Sequence, residues 1–412
     1  MGVTDRFLKR PLKWIVITLL PVLPLVSILS VSCTTDARGE DYAVAQSYVH
    51  AFNNNVTVFT EVFALNKEFS LDTSAYLKYT VDLIQPGLFE DDNDEDGEAI
   101  SGASTTAGGG PESRHEVTAG ISHNFRDLFG AELYYDYSTE KDYRSSTPTV
   151  TLKKELFNKN TTLSFGYSRN MDEISGQFIG GTEERTTNNY YLGATQVLSP
   201  VTIMQVGYSR MDSSGFMPEG IRLVPVDGAT AASCTAESAT CLDEVFPDSR
   251  KRHAVLLGVN HYFNRERGDE HVKTGRARVN ALLGGLVDRS TLRLTLRYYY
   301  DDWDIDAYTV EIVESKPVSE NNTVRLNYRF YIQDKASFFK EEYLSTDALR
   351  STSPQHRSFN THLLGAKFTH RLKDRPQAGH FGLGTVEGKY EFYFESSHVA
   401  AHIVMASFRF VY

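Results

Sequence analysis

Cysteine is scarce in this sequence, tryptophan is scarcer, and no long apolar run follows the N-terminal segment. Three cysteines in 412 residues are too few for a disulfide scaffold. Without an apolar stretch of about 18 residues beyond that segment, a bundle of membrane-spanning helices is ruled out. The mean hydropathy of −0.34 agrees. Positive charge is also in deficit. Against 53 Asp and Glu stand 42 Lys and Arg, a formal net charge of −11. That balance argues against a nucleic-acid partner. Enzyme signatures are missing as well: there is no Gly-x-Ser-x-Gly, no His-Glu-x-x-His and no phosphate-binding glycine loop. Ser101, Ser104 and the histidines offer groups for a hydrolase, but no spacing assembles them.

The chain begins with a targeting pattern. Arg6, Lys9, Arg10 and Lys13 precede an apolar stretch over residues 14–29, and Ser30-Val31-Ser32 forms a small-x-small cleavage site. Pro21 and Pro24 argue against a retained anchor. Residues 1–32 therefore read as a signal peptide, residues 33–41 as a short N-terminal segment and residues 42–412 as one exported domain. Cleavage removes four bases and one acid, so the charge moves from −11 to −14. Cys33 follows directly. Residues 29–33 resemble a lipoprotein box in which Cys33 would be acylated, although Ser30 stands where that pattern has leucine. The alternative is a plain small residue after the cleavage site.

Beyond the leader, apolar and polar residues alternate with period two in segment after segment. Over residues 68–83, Leu77, Tyr79, Val81 and Leu83 share one face, while Lys78, Thr80 and Asp82 share the other. Residues 42–52, 115–125, 131–137, 163–169, 190–198, 201–210, 253–263, 292–300, 308–316, 324–332, 359–372, 386–394 and 400–412 behave alike, and 150–156 more weakly. Alternating strands of ~9–11 residues point to a transmembrane β-barrel. In a bilayer every backbone N–H and C=O needs a partner, and only a closed sheet gives that to strands. Short connections at 66–67, 126–130, 158–160, 199–200 and 317–322 alternate with long ones at 85–112, 170–187, 211–251 and 333–357. Periplasmic turns and extracellular loops differ in that way. Even parity, with a tight outer loop at 53–55, gives an all-β antiparallel barrel of about 16 strands. Residues 264–290 are long for a periplasmic turn and leave 14 strands as the runner-up. A soluble sandwich or propeller predicts no link between loop length and strand parity.

Several segments resemble the outer-membrane family of Gram-negative bacteria catalogued as domain of unknown function 3570: residues 100–104, 114–117, 160–163, Pro247-Asp248-Ser249-Arg250, and residues 296–303 ending in Asp301-Asp302-Trp303. The resemblance spans residues 42–412, apart from 264–290 and the cysteine-bearing loop. It implies an outer-membrane barrel and no particular activity. The last strand, with Phe408, Phe410 and Tyr412, resembles the C-terminal signal read by the barrel-insertion machinery. The expected partners are outer-membrane lipid, lipopolysaccharide and that machinery.

Four features offer site chemistry. Asp92-x-Asp94-x-Asp96-Gly97 matches the first half of a Ca²⁺ loop, but Ala103 stands at the twelfth position, where a bidentate Glu belongs. Otherwise it is a solvated acidic loop. Asp301, Asp302, Asp304 and Asp306 form a second acidic turn. Two acidic loops at one rim would favour cations in a porin-like, transport-associated barrel. A filled-lumen receptor-like barrel is the alternative and an outer-membrane hydrolase a third. Histidines pair at eight-residue spacing (115/123, 253/261, 362/370), about 26 Å apart at ~3.3 Å per residue, enough to flank an apolar band ~25 Å tall. Finally, Cys234 and Cys241 lie close together in a long outer loop of an exported chain, where thiols pair. No other cofactor is indicated.

Overall fold

The computed structural model describes residues 41–53, 56–85, 112–126, 128–176, 179–218, 222–230, 234, 238–263, 289–372 and 382–411. The strands are β1 (Tyr42–Phe52), β2 (Thr57–Ser70), β3 (Thr73–Gln85), β4 (Glu112–Asn124), β5 (Gly130–Thr139), β6 (Tyr143–Leu156), β7 (Thr161–Ile174), β8 (Glu183–Ser199) and β9 (Thr202–Gly215). They continue with β10 (Leu223–Pro225), β11 (Cys241–Asp243), β12 (Ser249–Phe263), β13 (Ser290–Asp301), β14 (Asp306–Pro317), β15 (Asn322–Gln333), β16 (Phe359–Arg371), β17 (Gly382–Glu395) and β18 (Ala400–Val411). Sixteen of them close a barrel in which each pairs antiparallel with the next. β10 and β11 form a separate two-stranded sheet in an outer loop.

Closure is made by the chain ends. β1 pairs with β18 from Tyr42↔Val411 to Phe52↔Ala401, and with β2 on its other side. No barrel strand keeps an open edge, as a hydrocarbon environment requires. Phe408 and Phe410 pair with Ala45 and Ala43 in this seam. Tyr412 lies outside the described residues, as do Cys33, the leader, and Asp92, Asp94 and Asp96.

The pleat sorts side chains into two solvents. On β3 the outward residues Leu77, Tyr79 and Leu83 are 47%, 38% and 43% exposed, the reverse of a soluble core. Lys78, Thr80 and Asp82 point into the lumen. The outward face carries a girdle of paired rings. Tyr79 and His115 meet at 2.7 Å, Tyr208 and His253 at 2.8 Å, Tyr328 and His362 at 2.9 Å, and Tyr390 and His402 at 2.8 Å, each between tyrosine Oη and imidazole Nδ1. In every pair the tyrosine is on an outward-running strand and the histidine on the returning neighbour, two positions off register. At the periplasmic end His123, His261 and His370 bond Thr73, Thr202 and Asn322. The eight-residue spacing thus places one ring at each boundary, where amphipathic rings are favoured.

Two expectations change. The first periplasmic turn is at Leu71-Asp72, not at residues 66–67. A bulge between Glu68 and Ser70 shifts the register by one, so outward parity runs unbroken from Phe69 to Thr73. The alternation over 68–83 therefore passes through a hairpin without a mark. Nor are all outer connections long. Residues 140–142, 302–305 and 396–399 are short outer turns. The segment 264–290 lies outside the described residues except for its last two positions.

Candidate functional site

The lumen is the one polar compartment enclosed by the barrel, and its two sides differ. From β3 to β8 the lumen cations Lys78, Arg114, Lys153 and Arg185 each meet an acid. Lys78 and Arg114 share Glu116 at 2.7 and 3.0 Å. Lys153 pairs with Glu132 at 2.6 Å and Arg185 with Asp172 at 3.1 Å. Hydroxyls supply further donors: Thr60 to Asp82 at 2.5 Å, Thr118 to Asp136 at 2.6 Å and Ser145 to Asp172 at 2.7 Å. Apart from Arg114 and Glu116, which are two positions apart on β4, these are cross-strand partners on one face of the sheet, the geometry in which opposite charges attract.

From β12 to β15 the pattern changes. Arg252, Arg293, Arg297, Arg325 and Arg329 share lumen parity through the registers of β12 with β13, β13 with β14 and β14 with β15. None closes an ion pair among the described residues. Arg252 donates to Ser213 at 2.7 Å, Arg293 donates to Asn260 at 3.0 Å, and Arg297 lies over the Tyr299 ring at 5.4 Å, while Asp301 and Glu311 stand opposite Arg252 and Arg329 in register without closing an ion pair to them. Farther round, Lys367 and Lys389 again find acids, Glu387 and Glu391, each at 2.8 Å.

Outer loops cap this compartment. The loops after β9 and β15 are joined by bridges Val226↔Tyr343 and Val245↔Arg350. Beneath them Met217, Phe246, Trp303, Ile305, Ala336 and Phe338 form a small apolar core. Asp301 fastens it. Its carboxylate accepts from Arg250 at 2.6 Å, from the Tyr299 hydroxyl at 2.6 Å, and from the backbone N–H groups of Trp303 and Ile305 at 3.0 Å. The Arg250 guanidinium lies 4.3 Å from the Trp303 ring centroid, and the indole N–H donates to the Ser249 carbonyl at 3.0 Å. His356 packs edge-on against Phe246 and Trp303 and bonds Ser351 at 2.8 Å. Burial, aided by the Arg250 charge, pushes the His356 imidazole down to about 3, so it is neutral at pH 7. Between cap and barrel wall lies a cavity of about 460 Å³, lined in part by Arg185, Arg250, Arg252, Glu140, Trp303 and His356.

The acidic turn was expected as a mouth charge. Asp302 and Asp304 are exposed, but Asp301 is buried and spent on the lock just described. Asp302 accepts the Lys251 N–H at 2.8 Å and Asp306 the Tyr298 hydroxyl at 2.6 Å, so the turn is fastened at three points. Cys234 and Cys241 are bridged in the loop over the cap, with Cα atoms 5.4 Å apart. Among the described residues the one cluster of three close potential metal ligands is Glu112, Glu140 and Asp142, which the sequence had not singled out. Burial pushes Glu140 up to about 7. The sequence also gave no reason to single out Arg252, Trp303 or His356 as neighbours. One signal was present: the segments around Arg250 and Trp303 both belong to the family resemblance, and here they touch.

A closed 16-strand barrel with an apolar outside and a charged lumen is a bacterial outer-membrane β-barrel. Residues 32–180, 176–274 and 275–399 match the family described as Protein of unknown function (DUF3570), and the chain belongs to that family. No curated protein matches the sequence. Among solved structures, it is similar to Pseudomonas aeruginosa OccK2 in complex with glucuronate, at 7% identity and TM-score 0.41, covering 90% of this chain and 96% of that one. P. aeruginosa OpdK with vanillate gives 8% identity and TM-score 0.41, over 90% and 98%. A mutant of the P. aeruginosa ferric enterobactin receptor gives 9% and 0.39, over 88% of this chain and 54% of the receptor, so the chain spans about half that receptor's length.

Proposed function

We propose that this barrel is a porin-like channel for small charged solutes and that its lumen favours anions. The row of five lumen arginines, none of which closes an ion pair among the described residues, carries the reading. A guanidinium held along a low-dielectric wall and left unneutralised attracts mobile anions and repels cations. It differs from the cation preference drawn from the acidic turns: Arg250 neutralises Asp301, while Asp92, Asp94 and Asp96 lie outside the described residues. The test is the reversal potential of purified protein in planar bilayers under a salt gradient. Anion preference supports the reading; cation preference overturns its charge sign. A receptor-like barrel is the second reading, favoured by the loops that pack over the mouth. Absence of any unitary conductance would select it.

A further inference from the structure

Arg252 is the arginine of that row that lines the capped cavity. Its Nη2 donates to Ser213, while its Nε is buried with no hydrogen-bond partner. Of the cavity's other cations, Arg222 and Arg114 line it too, and Arg114 is held by Glu116. Arg185 is held by Asp172 and Arg250 by Asp301. Asp301 stands opposite Arg252 in register but is engaged by Arg250, so two guanidinium groups share one carboxylate; a bound anion offsets the cost of the second buried charge. Cavity shape and lining narrow what the anion is. The volume, about 460 Å³, falls in the range of small-molecule sites. Ile174, Met211, Met217, Phe246 and Trp303 give part of the lining an apolar character. Glu140 and Asp142 line it too, so a second negative group on the ligand meets like charge.

We propose that the capped vestibule is a binding site for a small organic monocarboxylate, its carboxylate on Arg252 and Ser213 and its apolar body against Trp303 and Met217. The site deepens the channel reading and rests on it only for how the solute arrives and leaves. Arg252 presents a fork of donors that suits a planar carboxylate, and Ser213, already in contact with the guanidinium, supplies a hydroxyl beside it. The apolar lining supplies a reason to hold a carbon skeleton in place of a hydrated inorganic anion.

Trp303 is one of two tryptophans, and the other, Trp14, lies in the expected leader. Indole fluorescence of processed, detergent-folded protein therefore reports on this cavity. Cyclohexanecarboxylate should give a saturable change. The uncharged cyclohexanecarboxamide and the cationic cyclohexylmethylamine should bind at least tenfold more weakly, and trans-1,4-cyclohexanedicarboxylate should also be weaker. Arg252→Gln should weaken carboxylate binding at least tenfold and leave the amide unaffected. Equal binding of amide and carboxylate to the unaltered protein overturns the proposal, whatever the variant does. So does inorganic phosphate competing at equal concentration, which would make the site a general oxyanion site. Binding is read without any current. Carboxylate binding in a protein that conducts nothing defeats the channel reading alone, and conductance without binding defeats this one alone.

Discussion

On the wall built by β3–β8, Lys78, Arg114, Lys153 and Arg185 each meet a carboxylate on the same or the adjacent strand. On the wall built by β12–β15, Arg252, Arg293 and Arg297 meet a hydroxyl, an amide and a ring, and Arg325 and Arg329 share their face without closing an ion pair among the described residues. Both walls have the same backbone geometry and the same pleat. What separates them is whether a carboxylate closes on the cation: Asp301 and Glu311 stand across from Arg252 and Arg329, yet neither forms an ion pair with them. A paired wall is electrically quiet and holds its side chains in fixed geometry. An unpaired wall keeps its field available to whatever ion passes.

Arg250 stands at the boundary of the two classes, and Asp301→Asn would move it from one to the other. The Asp301 side chain is fully buried and Arg250 nearly so. Removing one member of a buried pair typically costs about 3–5 kcal/mol, because the other charge is left uncompensated. The loss falls on the cap, since the same carboxylate holds the Trp303 and Ile305 N–H groups. We expect limited proteolysis to cut within residues 334–358 while the barrel still shifts on heating in gel electrophoresis. A digestion pattern identical to the parent's would show that Asp301 does not hold the cap.

Acid should drive the two sides in opposite directions. His356 titrates near 3 in the cap against about 6.5 unfolded, so the open form takes up the proton first. Cap stability is complete above about pH 6.5 and is lost as pH falls through the window toward 3, on the order of 2 kcal/mol by pH 4.5. Its charged neighbours are Arg250, Asp301 and Arg222. Glu140 has the opposite sign. Raised to about 7 by burial among Asp142, Glu112 and Arg114, it is protonated more readily in the fold, so acidification from pH 7 toward 4.5 relieves a cost. Protection factors, corrected for the intrinsic pH dependence of amide exchange, should therefore fall in residues 334–358 and rise in residues 140–142 between pH 7.5 and 4.5. Parallel behaviour of the two segments would contradict the assignment.

The barrel was legible because its two solvents impose a period of two on every strand. The hairpin at Leu71-Asp72 was not, because the bulge before it preserves that period across the turn. Charge pairing on the walls was also hidden. Lys78 and Glu116 are 38 positions apart, and nothing local reports that β3 and β4 set them side by side. Acidity misled at Asp301-Asp302-Trp303. Its count of negative charges is visible in sequence, but the buried guanidinium that consumes one of them comes from another strand. The eight-residue histidine spacing succeeded because it is a distance along one strand and needs no knowledge of a neighbour.

Neutralising the unpaired wall tests the comparison directly. Arg297→Gln and Arg329→Gln together should lower the anion-to-cation permeability ratio, with each lost charge changing it roughly a few-fold at low ionic strength. The shift should shrink in salt, as the Debye length falls to ~10 Å at 0.1 M. A ratio unmoved by the double variant would mean that the row does not face the conducting path.

Lys78→Gln is the smallest change and the sharpest control. It removes the same formal charge as Arg329→Gln alone. If selectivity followed only the net charge of the lumen, the two variants would shift the reversal potential equally. Local pairing says otherwise. Glu116 holds Lys78 at 2.7 Å and Arg114 at 3.0 Å, so losing the lysine leaves the carboxylate still neutralised by the arginine. Stability should change little, since partly exposed pairs contribute about 0–1 kcal/mol. The reversal potential should stay near the parent value, while Arg329→Gln moves it toward cations. Equal shifts would show that pairing does not silence a lumen charge, and the distinction between the two walls would then reduce to a count of charges.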